Sequence, residues 1–222
     1  MTTSERLPTA AEHYNVPAYY RTINREIRRA YAGQPLRVGQ PAPSFRLPTV
    51  DGGQADLDEL RESGHVVLVF GCYSAPPCVR ELPEIDKLAA AQPPGLAMVF
   101  VYTREIHPNE DLPQGRFAPH DSLAAKLAVA RRFRDDLGLH LTVAADDLEG
   151  SVHQAYGTLP FCAAVVRRDG LLVHRSEWAS AGQLAAVIAN LAQADQRLAA
   201  GEQPRMSLNE TLWSMERLTK KP

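Results

Sequence analysis

Residues 66–84, VVLVFGCYSAPPCVRELPE, limit the possible folds of this chain more than any other stretch. An apolar, β-branched run from Val66 to Phe70 reads as a buried strand and ends in a tight turn. Pro76 and Pro77 follow, then Cys78. Arg80, Glu81, Leu82, Glu84, Ile85 and Leu88 then carry the pattern of a helix that starts at the prolines. A thiol where a strand hands over to a helix meets free backbone N–H groups and the positive end of the helix dipole. Both stabilise a thiolate, so Cys78 is either a thiol with a lowered pKa or, lacking a partner, a half-buried residue that behaves as a small hydrophobe.

The remaining chain bounds the answer. With 222 residues it is long enough for one domain with extensions. A net charge of −2 advertises neither a nucleic-acid face nor a polybasic membrane contact. The N-terminus lacks an apolar h-region and no stretch reaches about 18 apolar residues, so a cytoplasmic protein is expected. Three cysteines argue against a secreted disulfide scaffold and leave thiols for chemistry or for the core.

Three parts are expected. Residues 1–35 form an N-terminal extension, in which Tyr19, Tyr20, Ile23, Ile27 and Tyr31 recur at helical spacing before Gly33 and Pro35. Residues 36–200 form the domain, and residues 201–222 a tail with Leu208, Leu212, Met215 and Leu218 at helical spacing. Either extension could pack on the domain or build a homodimer. Within the domain, Asp51-Gly52-Gly53 marks a hairpin turn. Strands are expected at 66–70, 97–102, 141–145, 162–167 and 171–175, and helices at 78–91, 121–137 and 181–200. This alternation predicts an α/β fold, a partly parallel central sheet flanked by helices, with the last hairpin as an antiparallel edge.

The segment VGQPAPSFRLPTVDGGQADLDEL followed by VVLVFGCYSAPPCVRELPE resembles the opening of the thioredoxin-fold redoxin and peroxiredoxin superfamily. Within it, the chain is similar to the iodothyronine deiodinase-like branch. FGCYSAPP resembles that branch's Phe-Gly-Ser-Cys-Thr-selenocysteine-Pro-Pro turn, and VYTREIHPNED its strand ending in Tyr-Ile-Glu-Glu-Ala-His-Pro-Ser-Asp. HDSLAAKLAVARRF resembles its His-x-Ser-Leu helix start, and AYGTLPFCAAVVRRDG its Ala-Tyr-Gly segment. The likeness covers roughly residues 38–178. It implies a thioredoxin-like fold and redox chemistry, in which a thiol or selenol attacks a disulfide, a peroxide or a halogenated aromatic. A small-molecule or protein-disulfide substrate and an external thiol reductant follow as partners, with no cofactor.

The resemblance also assigns positions. The family nucleophile falls on Ala75, which cannot attack anything. Three explanations stay open: the reaction is lost, the chemistry has moved to Cys72 or Cys78, or the alanine replaces an original cysteine. Cys78 matches the second cysteine of a thioredoxin-type Cys-x-x-Cys turn. The family histidine falls on His107 and its acidic companion on Glu105, giving a general acid and the carboxylate that orients it. Pro160 is the candidate for the cis-proline loop, which would bring Cys162 near Cys78. Tyr73, Ser74, Pro76, Pro77 and Pro160 would then line a substrate groove.

The remaining candidates have plainer readings. Cys72 and Cys78 form Cys-x5-Cys, which is looser than a redox signature. Three converging cysteines could hold a soft metal, but close-spaced ligand pairs are missing, so no metal is expected. Asp121 or Ser122, next to His120, is expected to cap the next helix. Tyr156 and Tyr73 fit core or rim packing. Asp146, Asp147 and Glu149 read as a solvated acidic turn. Two function classes remain: a thiol-dependent oxidoreductase using Cys78, with Cys72 or Cys162 as resolving thiol, or a redox-inactive module that binds a ligand or partner in the groove.

Overall fold

A computed structural model describes residues 9–15, 36–91, 94–157, 159–202 and 209–211. The helix expected over 19–31 lies outside the described residues. In chain order the helices are α1 (Ala10–Tyr14), α2 (Leu57–Ser63), α3 (Pro76–Ala90), α4 (Leu123–Leu137), α5 (Ser151–Tyr156) and α6 (Ala181–Ala199). The strands are β1 (Arg46–Pro48), β2 (Gln54–Asp56), β3 (His65–Gly71), β4 (Leu96–Tyr102), β5 (Thr142–Ala145), β6 (Cys162–Val166), β7 (Leu172–Ser176) and β8 (Asn209–Thr211). None of the described helices is long and apolar enough to cross a membrane.

β1 and β2 form the hairpin expected around Asp51-Gly52-Gly53. The other six strands form one sheet in the order β5-β4-β3-β6-β7-β8. β3 pairs parallel with β4, and β4 with β5, so all three point their carboxyl ends at one edge. β6 runs antiparallel to both β3 and β7. The last hairpin, β6 and β7, thus adds the expected antiparallel side to the sheet, joined to it through β3. The tail differs from expectation: 209–211 is a short strand parallel to β7 rather than part of a helix.

β3 is buried along its whole length, as a strand covered on both faces must be. One face carries Val67, Val69, Phe100, Leu82 and Ile85 of α3, Phe133 of α4, and Leu184 and Leu191 of α6. The other carries Val66, Leu68, Phe70, Val99 and Val101 under Leu57 of α2, Val152 and Tyr156 of α5, and the hairpin residues Phe45 and Leu47. This is a mixed sheet between two helical layers. Helix α2, which had no counterpart among the expected helices, spans only seven residues. It is nucleated by Asp56, whose carboxylate accepts from the N–H groups of Asp58 and Glu59.

Two helix starts shape the site. At α4, Ser122 is the cap and its Oγ accepts from Ala125 N–H. At α3, Pro76 and Pro77 fill the first positions, where no N–H partner is needed. The cap residue there is Ala75, which is extended and gives no side-chain bond.

Gly71 is required for closeness rather than for backbone freedom. A Cβ there would sit 2.7 Å from Cys78 Sγ and 3.0 Å from the Phe100 ring. Gly71→Ala is expected to lower stability by about 1–3 kcal/mol in urea unfolding. The cost should shrink in a Cys78→Ala background, because the two changes meet at one contact.

Candidate functional site

The exit of β3 is tied to the exit of β4 by backbone and side-chain bonds. Thr103 donates from both N–H and Oγ1 to Gly71 O. Tyr73 N–H donates to the Tyr102 hydroxyl at 3.1 Å, and Ser74 N–H to Glu105 Oε2 at 2.9 Å. In return Ser74 Oγ accepts from Ile106 N–H at 2.9 Å and His107 N–H at 3.2 Å. The turn is thus closed by contacts to the 102–107 loop. Cys72, Tyr73, Ser74 and Ala75 are all buried, and only Pro76 and Pro77 reach solvent.

Glu105 sits at the centre of this wiring. Its carboxylate accepts from Ser74 N–H and from the Tyr102 hydroxyl, and His120 Nε2 lies 3.3 Å away. The His120 contact is electrostatic rather than a well-aligned hydrogen bond. Burial alone would raise the Glu105 carboxyl. His120, Ser74 and Tyr102 together outweigh it and hold the group below the usual glutamate range.

The thiols depart from expectation. Cys72, Cys78 and Cys162 are free and buried. Burial pushes Cys78 well above its ordinary value, and the nearby Cys72 and Glu105 raise it further. Cys72 is raised by burial and then by Glu105, against a weaker pull from Ser74, whose Oγ lies 3.4 Å from the sulfur. Of the two readings of Cys78, the small hydrophobe fits this environment and the low-pKa thiol does not. Its sulfur lies inside the helix–sheet interface, with an anion rather than a cation nearby.

Cys72 and Cys78 of the loose Cys-x5-Cys lie in one buried cluster, with the Cys78 thiol packed close to Gly71, the residue before Cys72. Cys162 does not join them. It pairs with Phe70 across β3 and β6 and packs on the opposite face of the sheet, where burial pushes its thiol up to about 12. The Leu159–Pro160 bond is trans, since no cis peptide bond occurs among the described residues. The antiparallel register still carries the 159–161 loop alongside the exit of β3.

The expected His107–Glu105 pair is absent as well. Glu105 faces inward to His120, whereas His107 Nδ1 contacts Glu110 at 2.9 Å near the surface. His120 is the partner that sequence reasoning passed over in favour of a helix cap. The cap is Ser122, and the ring beside it is turned inward against Tyr102. Tyr73 packs on Phe117 and Phe133 and donates to Asp136 at 2.7 Å, while Tyr156 donates to Pro43 O.

The acidic turn is not solvated at its first residue. Asp146 is fully buried and accepts from the N–H groups of Asp147, Val152 and His153. Lys126 of α4 is buried close by, with Nζ donating to Asp147 O at 3.0 Å. Burial lowers Lys126 to about 8 against the opposing pull of Asp146, Asp147 and Glu105. His153 Nε2 contacts Leu159 O at 2.9 Å, which fixes the tautomer and leaves Nδ1 to accept from Tyr14 at 2.6 Å. Arg104, just past β4, donates to Tyr14 O at 2.9 Å and lies 4.6 Å over its ring. Among the described residues no group of three or more His, Cys, Asp or Glu is placed to hold a metal.

The family model for redoxins matches residues 37–179. No curated protein matches the chain. Among solved structures, an uncharacterized conserved protein from Geobacillus kaustophilus is similar at 17% identity, covering 80% of this chain and 90% of its own, with a TM-score of 0.56. Peroxidoxin BcpB from Mycobacterium tuberculosis is similar at 18% identity, covering 71% and 97%, with a TM-score of 0.51. The exposed lipoprotein thioredoxin of Streptococcus pneumoniae is similar at 19% identity, covering 67% and 100%, with a TM-score of 0.51. These likenesses establish the thioredoxin-like fold.

The buried neutral His153 gives a pH dependence of known sign. Burial, then Arg104 and Lys126, lower it from 6.5 to about 3. Between those values only the unfolded chain takes up the proton, so stability falls as the pH drops from 6.5 towards 3. Urea midpoints measured across this window should decline less steeply for His153→Gln than for the native chain.

Proposed function

This chain belongs to the redoxin family, and from that premise we propose that it is a thiol-dependent oxidoreductase whose reactive pair is Cys72 and Cys78. The observation that supports this reading is the packing of the Cys78 thiol close to Gly71, with Cys72 and Cys78 in one buried cluster at the turn after the central strand. A Cys72–Cys78 disulfide carries no charge, so burial does not penalise the oxidised form as it penalises a thiolate.

One sulfur attacks a soft electrophile. With a peroxide, the O–O bond breaks as the S–O bond forms; the sulfur loses two electrons and becomes a sulfenic acid. The leaving oxygen takes a proton, for which His107 on the neighbouring loop is the candidate donor. The second thiol then condenses with the sulfenic acid, forming the S–S bond and releasing water. An external dithiol returns the pair to the reduced state, as exchange chemistry requires. The sealed turn favours a small peroxide over a bulky halogenated aromatic or a protein disulfide. Three free thiols fit a reducing compartment such as the cytoplasm.

A second reading has its own support. Ala75 occupies the position that the resemblance gives to the nucleophile, and burial with Glu105 disfavours a thiolate at both neighbouring sulfurs. On that reading the turn and the 159–161 loop hold a ligand or partner without turnover.

Peptide mass spectrometry after one equivalent of hydrogen peroxide separates the two. The oxidoreductase reading expects a Cys72–Cys78 disulfide that a thiol reductant reverses. Cys72→Ser and Cys78→Ser should each reduce peroxide turnover by about tenfold or more. A folded protein whose three thiols all survive unmodified leaves the binding reading standing.

A further inference from the structure

A serine hydroxyl accepts at two lone pairs and donates one hydrogen. At Ser74 both lone pairs are taken. Ile106 N–H donates to Oγ at 2.9 Å and His107 N–H at 3.2 Å. The residue is fully buried, so its own hydrogen goes to a protein acceptor rather than to water. Cys72 Sγ stands 3.4 Å from Oγ, within reach of a hydrogen bond to sulfur. The other acceptor beside Ser74 is the Glu105 carboxylate. It already takes Ser74 N–H and the Tyr102 hydroxyl, with His120 3.3 Å away. The Ser74 hydroxyl is therefore a donor for Cys72, held in place by two backbone N–H groups of the 102–107 loop.

The two sulfurs of the turn sit in different surroundings. Cys78 Sγ packs at Gly71 beside the Phe100 ring, in an apolar place. Cys72 has the fixed hydroxyl. A sulfur that takes on negative charge gains from a donated hydrogen bond, and gains most where water is excluded. At Cys72 burial and then Glu105 disfavour the thiolate, and the Ser74 hydroxyl supplies the largest opposing pull.

We propose that the Ser74 hydroxyl, fixed by the N–H groups of Ile106 and His107, donates to the Cys72 sulfur and makes Cys72 the attacking thiol of the pair, with Cys78 the thiol that resolves it. This rests on the oxidoreductase reading and gives its two sulfurs their order. The Cys72 sulfur attacks one oxygen of the peroxide. The S–O bond forms, the O–O bond breaks, the sulfur loses two electrons, and the other oxygen leaves as water with the thiol proton. The Cys78 thiol then attacks the Cys72 sulfenic sulfur. The S–S bond forms, the S–O bond breaks, and a second water leaves with the Cys78 proton.

The test traps sulfenic acid with dimedone after one equivalent of hydrogen peroxide, in full chains that keep one sulfur of the pair, and reads the adduct by peptide mass spectrometry. Cys78→Ser should form it at Cys72 about tenfold faster than Cys72→Ser forms it at Cys78. Adding Ser74→Ala to Cys78→Ser should slow the Cys72 adduct by about tenfold, and Ser74→Thr, which keeps the hydroxyl, should restore it. The direction separates chemistry from support, because a turn loosened by loss of Ser74 would admit peroxide and water to the thiol and speed its reaction. A Cys72 adduct that forms at an unchanged or faster rate in Ser74→Ala overturns the proposal. Equal or faster reaction at Cys78 also overturns it, while the oxidoreductase reading stands with the order of the sulfurs changed. Absence of adduct at both sulfurs overturns the proposal and that reading together. If Ser74→Ala does not fold, the ratio between the two cysteine variants decides by the same criterion.

Discussion

The buried carboxylate of Glu105 is the interaction on which the rest of the site depends. Three elements meet there: the turn after β3 through Ser74 N–H, the end of β4 through the Tyr102 hydroxyl, and the loop before α4 through His120. A carboxylate in such a place is tolerated only if its lone pairs are filled. Filling them draws backbone and side-chain donors from three directions to one point. Ser74, fixed through its N–H, then returns its hydroxyl to the backbone of Ile106 and His107. The conformation of the turn thus follows from the need to satisfy one buried charge.

Burial raises both Cys72 and Cys78, and Glu105 adds to it, because a thiolate there would meet a second anion in a poorly solvated space. The helix N-terminus beside them works the other way, but its field is small where the thiol has lost its water. Burial here outweighs the dipole. Burial, rather than the helix dipole, therefore sets the resting state of both thiols.

Much of the fold was legible because it depends on local pattern. The β-branched run of β3, the Asp51-Gly52-Gly53 turn and the long periods of α3, α4 and α6 carry their own signals. Helices α2 and α5 are too short to show a period, and 209–211 is a strand only because β7 offers it an edge. The site was half legible. Its location at the strand–helix turn came from Cys78 and the prolines, and from a family likeness that named Glu105 and His107. The pairing did not follow, because a carboxylate chooses its partner in three dimensions. Glu105 turned to His120, fifteen residues on, and left His107 to Glu110. Asp146 misled for a related reason: an acidic turn reads as solvated unless one knows that the N–H of Asp147 and two N–H groups at the start of α5 point at its carboxylate.

Placing these groups at one sheet edge also explains how the chain can bury so much charge. Arg104 and Glu105 follow β4, Asp146 follows β5, and Lys126 and His153 come from the helices α4 and α5 beside them. At the carboxyl ends of parallel strands the ladder stops, and unpaired backbone groups and following helix starts face one another. Charges placed there find donors and acceptors that the middle of the sheet cannot supply. Lys126 has Asp147 O, Asp146 has the first N–H groups of α5, and Glu105 has Ser74 N–H. The buried polar cluster is thus the natural product of where the strands end. The Tyr14 ring packs on it at Gly150, which has no Cβ to obstruct the ring, and the Tyr14 hydroxyl donates to His153 Nδ1.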